Sequence, residues 1–357
     1  MSDELHIRRD GRAGRITLTR PDERNRLTAG CCREIREALE RWQGDDAVSL
    51  IVIDAEGDFC AGRDLGEFLR HAREGGAETA AEVLRCEYRL ADRIAQPSKP
   101  IVSFLSGRVA GTGVALGCFA QRRVVGNGSR IVFDGCATGL IPDTGGTYLL
   151  ARAPARLGEY FGLAGVSAGP GDAVCGRLAD AFVPEKDWPD LIDELCRTGR
   201  LRTVDEAAYP APDAPLLYAC QALDEVFALG TVPEMLAALE AEATEDDSEA
   251  ALAAEAAASI RCAAPLSMDW TLATVRDLRS SGGSVRDALD LEFRFMRRAA
   301  EDQARLDALQ TVHSGGDQPA WPHTLGAVPD EALAKMRAPL GRDALMLPEW
   351  DEMVVGG

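Results

Sequence analysis

One carboxylate in the 357-residue chain stands where it could act on a bound carbonyl compound. Asp143 lies in Gly139-Leu140-Ile141-Pro142-Asp143-Thr144-Gly145-Gly146-Thr147, after a proline and before a double glycine. Two readings are open. Either its side chain caps a helix over 144–153, or the carboxylate stands at a loop tip, usable as base or nucleophile. Two glycine-bearing segments could hold the oxygen of such a substrate: Phe59-Cys60-Ala61-Gly62-Arg63-Asp64-Leu65, and the run from Gly107 to Gly117 that contains Ala110-Gly111-Thr112-Gly113. Glycine lets the backbone approach a ligand, and a helix N-terminus presents free N–H groups. Two such N–H groups from different turns make an oxyanion hole, which suits thioester chemistry. Each turn alone is also ordinary strand–turn–helix structure. The second matches neither the dinucleotide G-x-G-x-x-G nor the phosphate loop with its Lys.

The elements that must position these residues alternate strand and helix. Ile16-Thr17-Leu18-Thr19 reads as a short strand running into a Pro21 turn, and Thr28 as the cap of a helix with Ile35, Leu39 and Trp42 on its apolar face. Ser49 to Ile53 is a continuous apolar run, as in a strand covered on both faces. A helix carrying Val83, Cys86, Leu90 and Ile94 ends before Pro97, and strands follow at Pro100–Leu105, Val124-Val125 and Arg130–Phe133. Strands separated by helices predict a mostly parallel α/β sheet. From about residue 185 the chain reads as helical, with proline breaks around 208–214. Met235 to Ile260 reads as a solvated helix pair with an acidic loop at Glu245-Asp246-Asp247, and Asp287 to Leu309 as one helix with Leu289, Leu291, Phe295 and Leu306 on its apolar face. The tail, punctuated by Pro322, Pro329, Pro339 and Pro348, reads as irregular.

Charge narrows the partners. Lys plus Arg total 39 against 58 Asp plus Glu, a formal net charge of −19. That balance disfavours nucleic acid and anionic membranes, which need a basic footprint. No apolar run approaches the ~18 residues of a membrane helix. The start, Met1-Ser2-Asp3-Glu4-Leu5-His6, lacks the order of a signal peptide, so a soluble, cytoplasmic protein is expected. Three lysines (Lys99, Lys186, Lys335) leave few candidates for Schiff-base chemistry. The ten scattered cysteines read as small buried residues, and the four histidines (His6, His71, His313, His323) form no ligand cluster, so no metal is expected.

In this order and spacing, the three motifs resemble those of the crotonase (enoyl-CoA hydratase/isomerase) superfamily. Supporting phrases are Ile16-Thr17-Leu18-Thr19-Arg20-Pro21, Lys99-Pro100-Ile101-Val102, and Arg156-Leu157-Gly158 followed by Leu163-Ala164-Gly165. Within that superfamily the chain is most similar to the 3-hydroxyisobutyryl-CoA hydrolase branch. That likeness lies in Glu87-Tyr88-Arg89-Leu90, in Pro142-Asp143, and in a long C-terminal half with Glu225 to Leu229, Ala264-Pro265-Leu266-Ser267 and Leu291-Glu292-Phe293-Arg294. The resemblance implies an α/β fold, a crotonase-like spiral of ββα units binding acyl-CoA over 1–185, followed by a helical region over 186–357. It implies that the thioester lies between the glycine turns, with Ala61, Gly62, Asp64 and Gly111 beside it. The oxyanion donors would be the backbone N–H groups of Arg63 and Thr112, at positions usually Ala or Gly. Glu87 matches a substrate-contacting carboxylate, Asp143 the catalytic Asp, and Arg24 lies near the adenine-nucleotide loop. Coenzyme A would be part of the substrate with no further cofactor, and a homo-oligomer is expected.

Two departures bear on the reaction. The family's paired glutamates fall at Ala115 and Gly135, neither of which can transfer a proton. Paired-carboxylate hydration is therefore disfavoured. Gly135 also counts against ordinary hydrolase chemistry, leaving the adjacent Asp134 as a substitute only if the loop shifts, because neighbouring strand residues face opposite sides. A hydrolase motif near the C-terminus is reduced to Glu301-Asp302-Gln303-Ala304-Arg305. The leading expectation is an acyl-CoA thioester hydrolase using Asp143. The alternatives are another crotonase-type acyl-CoA reaction (hydratase/isomerase, dehalogenase, decarboxylase or oxygenase) and a weakly catalytic acyl-CoA-binding protein.

Overall fold

The apolar run Leu50-Ile51-Val52-Ile53 offers no polar face to water, and it forms the buried middle of a sheet. In the computed structural model, which describes residues 4–244, 248–316 and 319–349, nine short strands occur. They are β1 (Leu5–Asp10), β2 (Ala13–Leu18), β3 (Leu50–Ala55), β4 (Ile101–Leu105), β5 (Arg108–Ala110), β6 (Arg122–Val125), β7 (Arg130–Val132), β8 (Ser167–Ala168) and β9 (Ala181–Phe182). A six-stranded sheet has the order β1-β2-β3-β4-β6-β9, and a three-stranded sheet the order β5-β7-β8. β1 and β2 form an antiparallel hairpin; every other pairing in the larger sheet is parallel. Parallel neighbours need crossovers, and helices supply the first two: Ala29–Gln43 between β2 and β3, and Leu65–Glu74 with Gly76–Ala95 between β3 and β4.

Local chemistry fixes these helices. Thr28 accepts a bond from Cys31 N at 3.1 Å, and Ile35, Leu39 and Trp42 are buried beneath it, as their spacing predicts. The helix Gly76–Ala95 is more deeply set, with Glu87, Tyr88, Asp92 and Arg93 buried along with its apolar residues. One hydrophobic cluster runs from Leu5 to Ala288, and a second joins Phe68 and Tyr88 to Leu140, Trp270, Phe293 and Met336. The C-terminal helices therefore pack into the same interior as the sheet.

Two expectations about that half are corrected. The predicted helix from Asp287 to Leu309 is two helices, Val285–Ala299 and Gln303–His313, with Asp302 accepting from Arg305 N at 3.2 Å to cap the second. Ala299-Ala300 has high helix propensity, yet the break lets the second helix turn across the Asp143 loop, and packing overrides propensity. The tail, expected to be irregular, contains a helix at Asp330–Arg337. Acids stand in its first turn and bases in its last, complementing the helix dipole. The helix pair expected at 235–260 is present as Val232–Glu242 and Ser248–Cys262, while its acidic loop lies outside the described residues. Among the described residues no disulfide joins the ten cysteines.

Candidate active site

The two glycine turns meet back to back. Gly62 has φ 98°, and a Cβ there would lie 3.2 Å from the Ala110 carbonyl oxygen. Gly111 has φ 49°, and its Cβ would lie 3.2 Å from Gly62 Cα and 4.0 Å from Arg63 N. Only glycine tolerates both the left-handed backbone and this approach. Backbone bonds fix the contact: Leu27 N donates to Gly62 O at 2.8 Å, and Asp64 N to Leu27 O at 2.9 Å. Among the described residues Arg63 N–H has no acceptor. Thr112 opens the helix Thr112–Cys118, so its N–H has no intrahelical partner.

Beside this junction is a cavity of about 230 Å³. Ala61, Gly62, Arg63, Gly111 and Thr112 line one side, and Asp134, Gly135, Leu140, Ile141, Pro142 and Asp143 the other; Arg24, Arg26, Arg108 and His313 also contribute. Asp143 does not cap a helix: the next helix, Gly146–Arg152, has Gly145 at its cap position and no side-chain cap. The Asp143 carboxylate instead accepts from Arg63 Nη2 at 2.5 Å and from the Tyr88 hydroxyl at 3.4 Å. The same guanidinium holds Glu87 through Nη2 at 2.6 Å and Nε at 3.1 Å, while Thr112 Oγ1 donates to Glu87 at 3.1 Å. The side chains of Arg63, Glu87 and Asp143 are 6%, 0% and 7% exposed, so this is a buried triad of one cation and two carboxylates. Burial raises the Glu87 carboxyl, with Arg63 opposing and the Asp143 charge adding. Burial pushes the Cys60 thiol, also in the first turn, up to about 12, which makes it a poor nucleophile near neutral pH.

The other residues singled out from sequence sort by position. Asp64 faces away from the cavity: it caps the helix Leu65–Glu74 by accepting from Glu67 N at 2.9 Å, and it pairs with Arg20 at 3.1 Å. Glu87 lies behind Arg63 and is not an exposed helical residue. Arg24 reaches the cavity but is paired with Asp58 at 2.7 Å. Asp134 is paired with Arg108. Gly135 is helical in φ and ψ, and a Cβ there would lie 2.2 Å from the Ile141 carbonyl, so this loop course admits no side chain. Ala115 is buried in the core.

Sequence reasoning missed what holds the Asp143 turn, which carries two left-handed residues, Thr144 at φ 54° and Gly145 at φ 91°. Glu292, fully buried on the helix Val285–Ala299, accepts from Gly145 N at 2.6 Å, Thr147 N at 2.9 Å and Thr147 Oγ1 at 2.5 Å. Arg305 donates to the Gly139 carbonyl, and the Trp321 ring packs on Gly139, where a Cβ would lie 2.6 Å from it. The phrase Leu291-Glu292-Phe293-Arg294 was a family signal, but nothing local marks a mid-helix glutamate as a clamp. Burial pushes the Glu292 carboxyl up to about 8; the Thr147 and Gly145 donors oppose this and the Asp143 charge adds to it. An acid raised on folding binds its proton more tightly in the native state. Its contribution is thus fully present below the ordinary carboxylate range and is lost as pH climbs to about 8. Glu292→Gln, which still accepts one N–H but cannot ionise, is expected to flatten the fall of Tm over that window. Thermal melts with the same pH slope in both proteins would contradict this.

Comparison with known proteins identifies the family and the fold. The sequence model of the family described as enoyl-CoA hydratase/isomerase matches residues 13–336. The chain is 29% identical over 353 residues to the mitochondrial 3-hydroxyisobutyryl-CoA hydrolase of Rattus norvegicus, across 95% of this chain and 89% of that one. It is 28% identical over 304 residues to the probable 3-hydroxyisobutyryl-CoA hydrolase 3 of Arabidopsis thaliana, across 83% and 79%. Among solved structures, an enoyl-CoA hydratase from Rhodobacter sphaeroides 2.4.1 gives a TM-score of 0.88 at 42% identity, over 97% of this chain and 100% of that one. A carnitinyl-CoA dehydratase from Mycobacterium thermoresistibile also gives 0.88, at 31% identity over 97% and 99%. The crotonase fold and its helical C-terminal region are shared along nearly the whole chain. Among the described residues no helix is long and apolar enough to cross a membrane. Because the match spans every strand after β1, both glycine turns, Asp143 and the helix bearing Glu292, the chain belongs to the enoyl-CoA hydratase/isomerase family.

Proposed function

We propose that the chain hydrolyses acyl-CoA thioesters of the 3-hydroxyisobutyryl-CoA class, with Asp143 as the reactive carboxylate. The observation that carries this reading is Asp143 on the wall of the cavity that the two glycine turns line, its carboxylate held by Arg63 and Tyr88, while the cavity's other carboxylate among the described residues, Asp134, is paired with Arg108. The thioester oxygen would accept from the backbone N–H groups of Arg63 and Thr112, which are aimed where charge develops as the carbonyl carbon becomes tetrahedral. Asp143 then either takes a proton from the attacking water, or attacks the carbonyl itself to give a mixed anhydride that water opens. Either route expels the CoA thiolate and yields the free acid. The polar triad beside the carbonyl suits a short acyl group bearing a hydroxyl more than a long apolar one. At the cavity Arg26 would meet a CoA phosphate, and Arg24 and Arg108 would do so by exchanging Asp58 and Asp134 for it. The scheme needs no resident cofactor.

A second reading, hydration of an enoyl-CoA, is favoured by the 42% identity to a structure named as a hydratase. Ala115 and Gly135 oppose it, because that chemistry uses two carboxylates. Colorimetric release of free thiol from 3-hydroxyisobutyryl-CoA, run beside loss of the conjugated double bond of crotonyl-CoA, separates the two. Thiol release without loss of the double bond is expected. The converse, or silence in both assays while CoA binds in a calorimeter, would sink the hydrolase reading.

A further inference from the structure

A second and larger cavity, about 470 Å³, adjoins the Asp143 turn from another side. Phe119 lines it and also packs on Gly145, where a Cβ would lie 2.5 Å from the ring. In a chain of formal charge −19, its wall carries four arginines and no Asp or Glu. Two of them are neutralised: Arg123 by Asp180 at 2.7 Å, and Arg279 by Glu159 at 2.5 Å. The other two, Arg152 and Arg177, are exposed and make no ion pair among the described residues. The Arg152 side chain and the Arg177 backbone are both held. Arg152 lies over the Tyr148 ring, 5.3 Å from its centroid. Arg177 sits in the left-handed region at φ 59°, and its carbonyl accepts from Arg123 Nη1 at 2.8 Å. Tyr148 in turn stands 6.1 Å from Phe119, so aromatic surface and uncompensated positive charge share one groove.

We propose that this groove is a binding site for a phosphate monoester carried on a planar or apolar group. Two uncompensated guanidinium groups balance a dianion, and their fork geometry matches phosphate oxygens. The Tyr148 and Phe119 rings offer the ester's body an apolar face. This site lies outside the cavity that contains Asp143, and the proposal does not depend on which reaction occurs there.

Calorimetric titration of the full chain with phenyl phosphate and with inorganic phosphate, at low ionic strength where exposed charges are least screened, tests it. Saturable binding of phenyl phosphate, tighter than that of inorganic phosphate, is expected. The double variant Arg152→Ala/Arg177→Ala should weaken it about tenfold or more, with an unchanged melting temperature because both side chains are exposed. Arg24→Ala should leave it intact. Three results would overturn the proposal. One is no saturable binding to the wild type. Another is binding that Arg24→Ala abolishes and the double variant keeps, which would place the anion in the Asp143 cavity. The third is self-association that the double variant disperses without phosphate binding, which would make the groove a contact between copies.

Discussion

Asp143→Asn is expected to lower thiol release roughly a thousandfold, the scale set by removal of a general base or nucleophile, while CoA binds as before. The substitution keeps size and the capacity to accept from Arg63 and Tyr88, and Arg63 remains paired with Glu87. What disappears is the negative charge that can take a proton or attack a carbonyl. The arginines at the cavity are untouched, so the CoA dissociation constant measured by calorimetry should stay within about twofold. The two routes open to Asp143 also separate. In a single turnover in ¹⁸O-water, only the mixed-anhydride route can transfer label to the Asp143 carboxylate, when water opens the anhydride on that side. A variant as fast as the wild type would remove Asp143 from the mechanism.

Arg63→Ala should be the most damaging single change to the fold of the site. The guanidinium is the shared partner of two carboxylates that have almost no contact with water. Removing one member of a buried ionic set costs about 3–5 kcal/mol, because the charges left behind have neither solvent nor partner. The Glu87 carboxyl, already raised by burial, loses the cation that opposes that rise. Arg63→Lys should recover part of the stability but not the paired Nε and Nη2 contacts to Glu87, which need a planar fork. Denaturant melts and thiol-release rates of both variants provide the check. Wild-type stability and an undiminished rate in Arg63→Ala would show that the triad is dispensable.

Five of the nine strands (β2, β3, β4, β6 and β7), the first helix and both glycine turns were legible because each rests on a local signal. An apolar run, a Thr cap and a strand-to-helix glycine turn all need only near neighbours. The close approach of the two turns was legible too, since glycine spacing reports where main chain can come close, whereas Arg63 and Thr112 as its donors rest on the family resemblance. The course of the Arg63 side chain was not: it reaches Glu87, 24 residues away, and Asp143, 80 residues away. Nothing local couples those three positions. The Glu292 grip on Gly145 spans 147 residues and was hidden for the same reason. Gly135 was read as a missing acid; the packing of Ile141 against it shows a loop redrawn so that no side chain fits. The break at 300–302 was invisible because alanines favour helix, whereas the cap and the contact across Gly139 are tertiary choices.

The three grips on the Asp143 loop all come from the far end of the chain, at Glu292, Arg305 and Trp321. As the polypeptide leaves the ribosome, the sheet and both glycine turns can form well before those residues emerge. Until then the loop has no clamp on Gly139, Gly145 or Thr147, and its two left-handed residues have little to hold them. Assembly of the loop therefore waits for residues 292–321, and a nascent chain can carry the crotonase core while the Asp143 loop is still unheld.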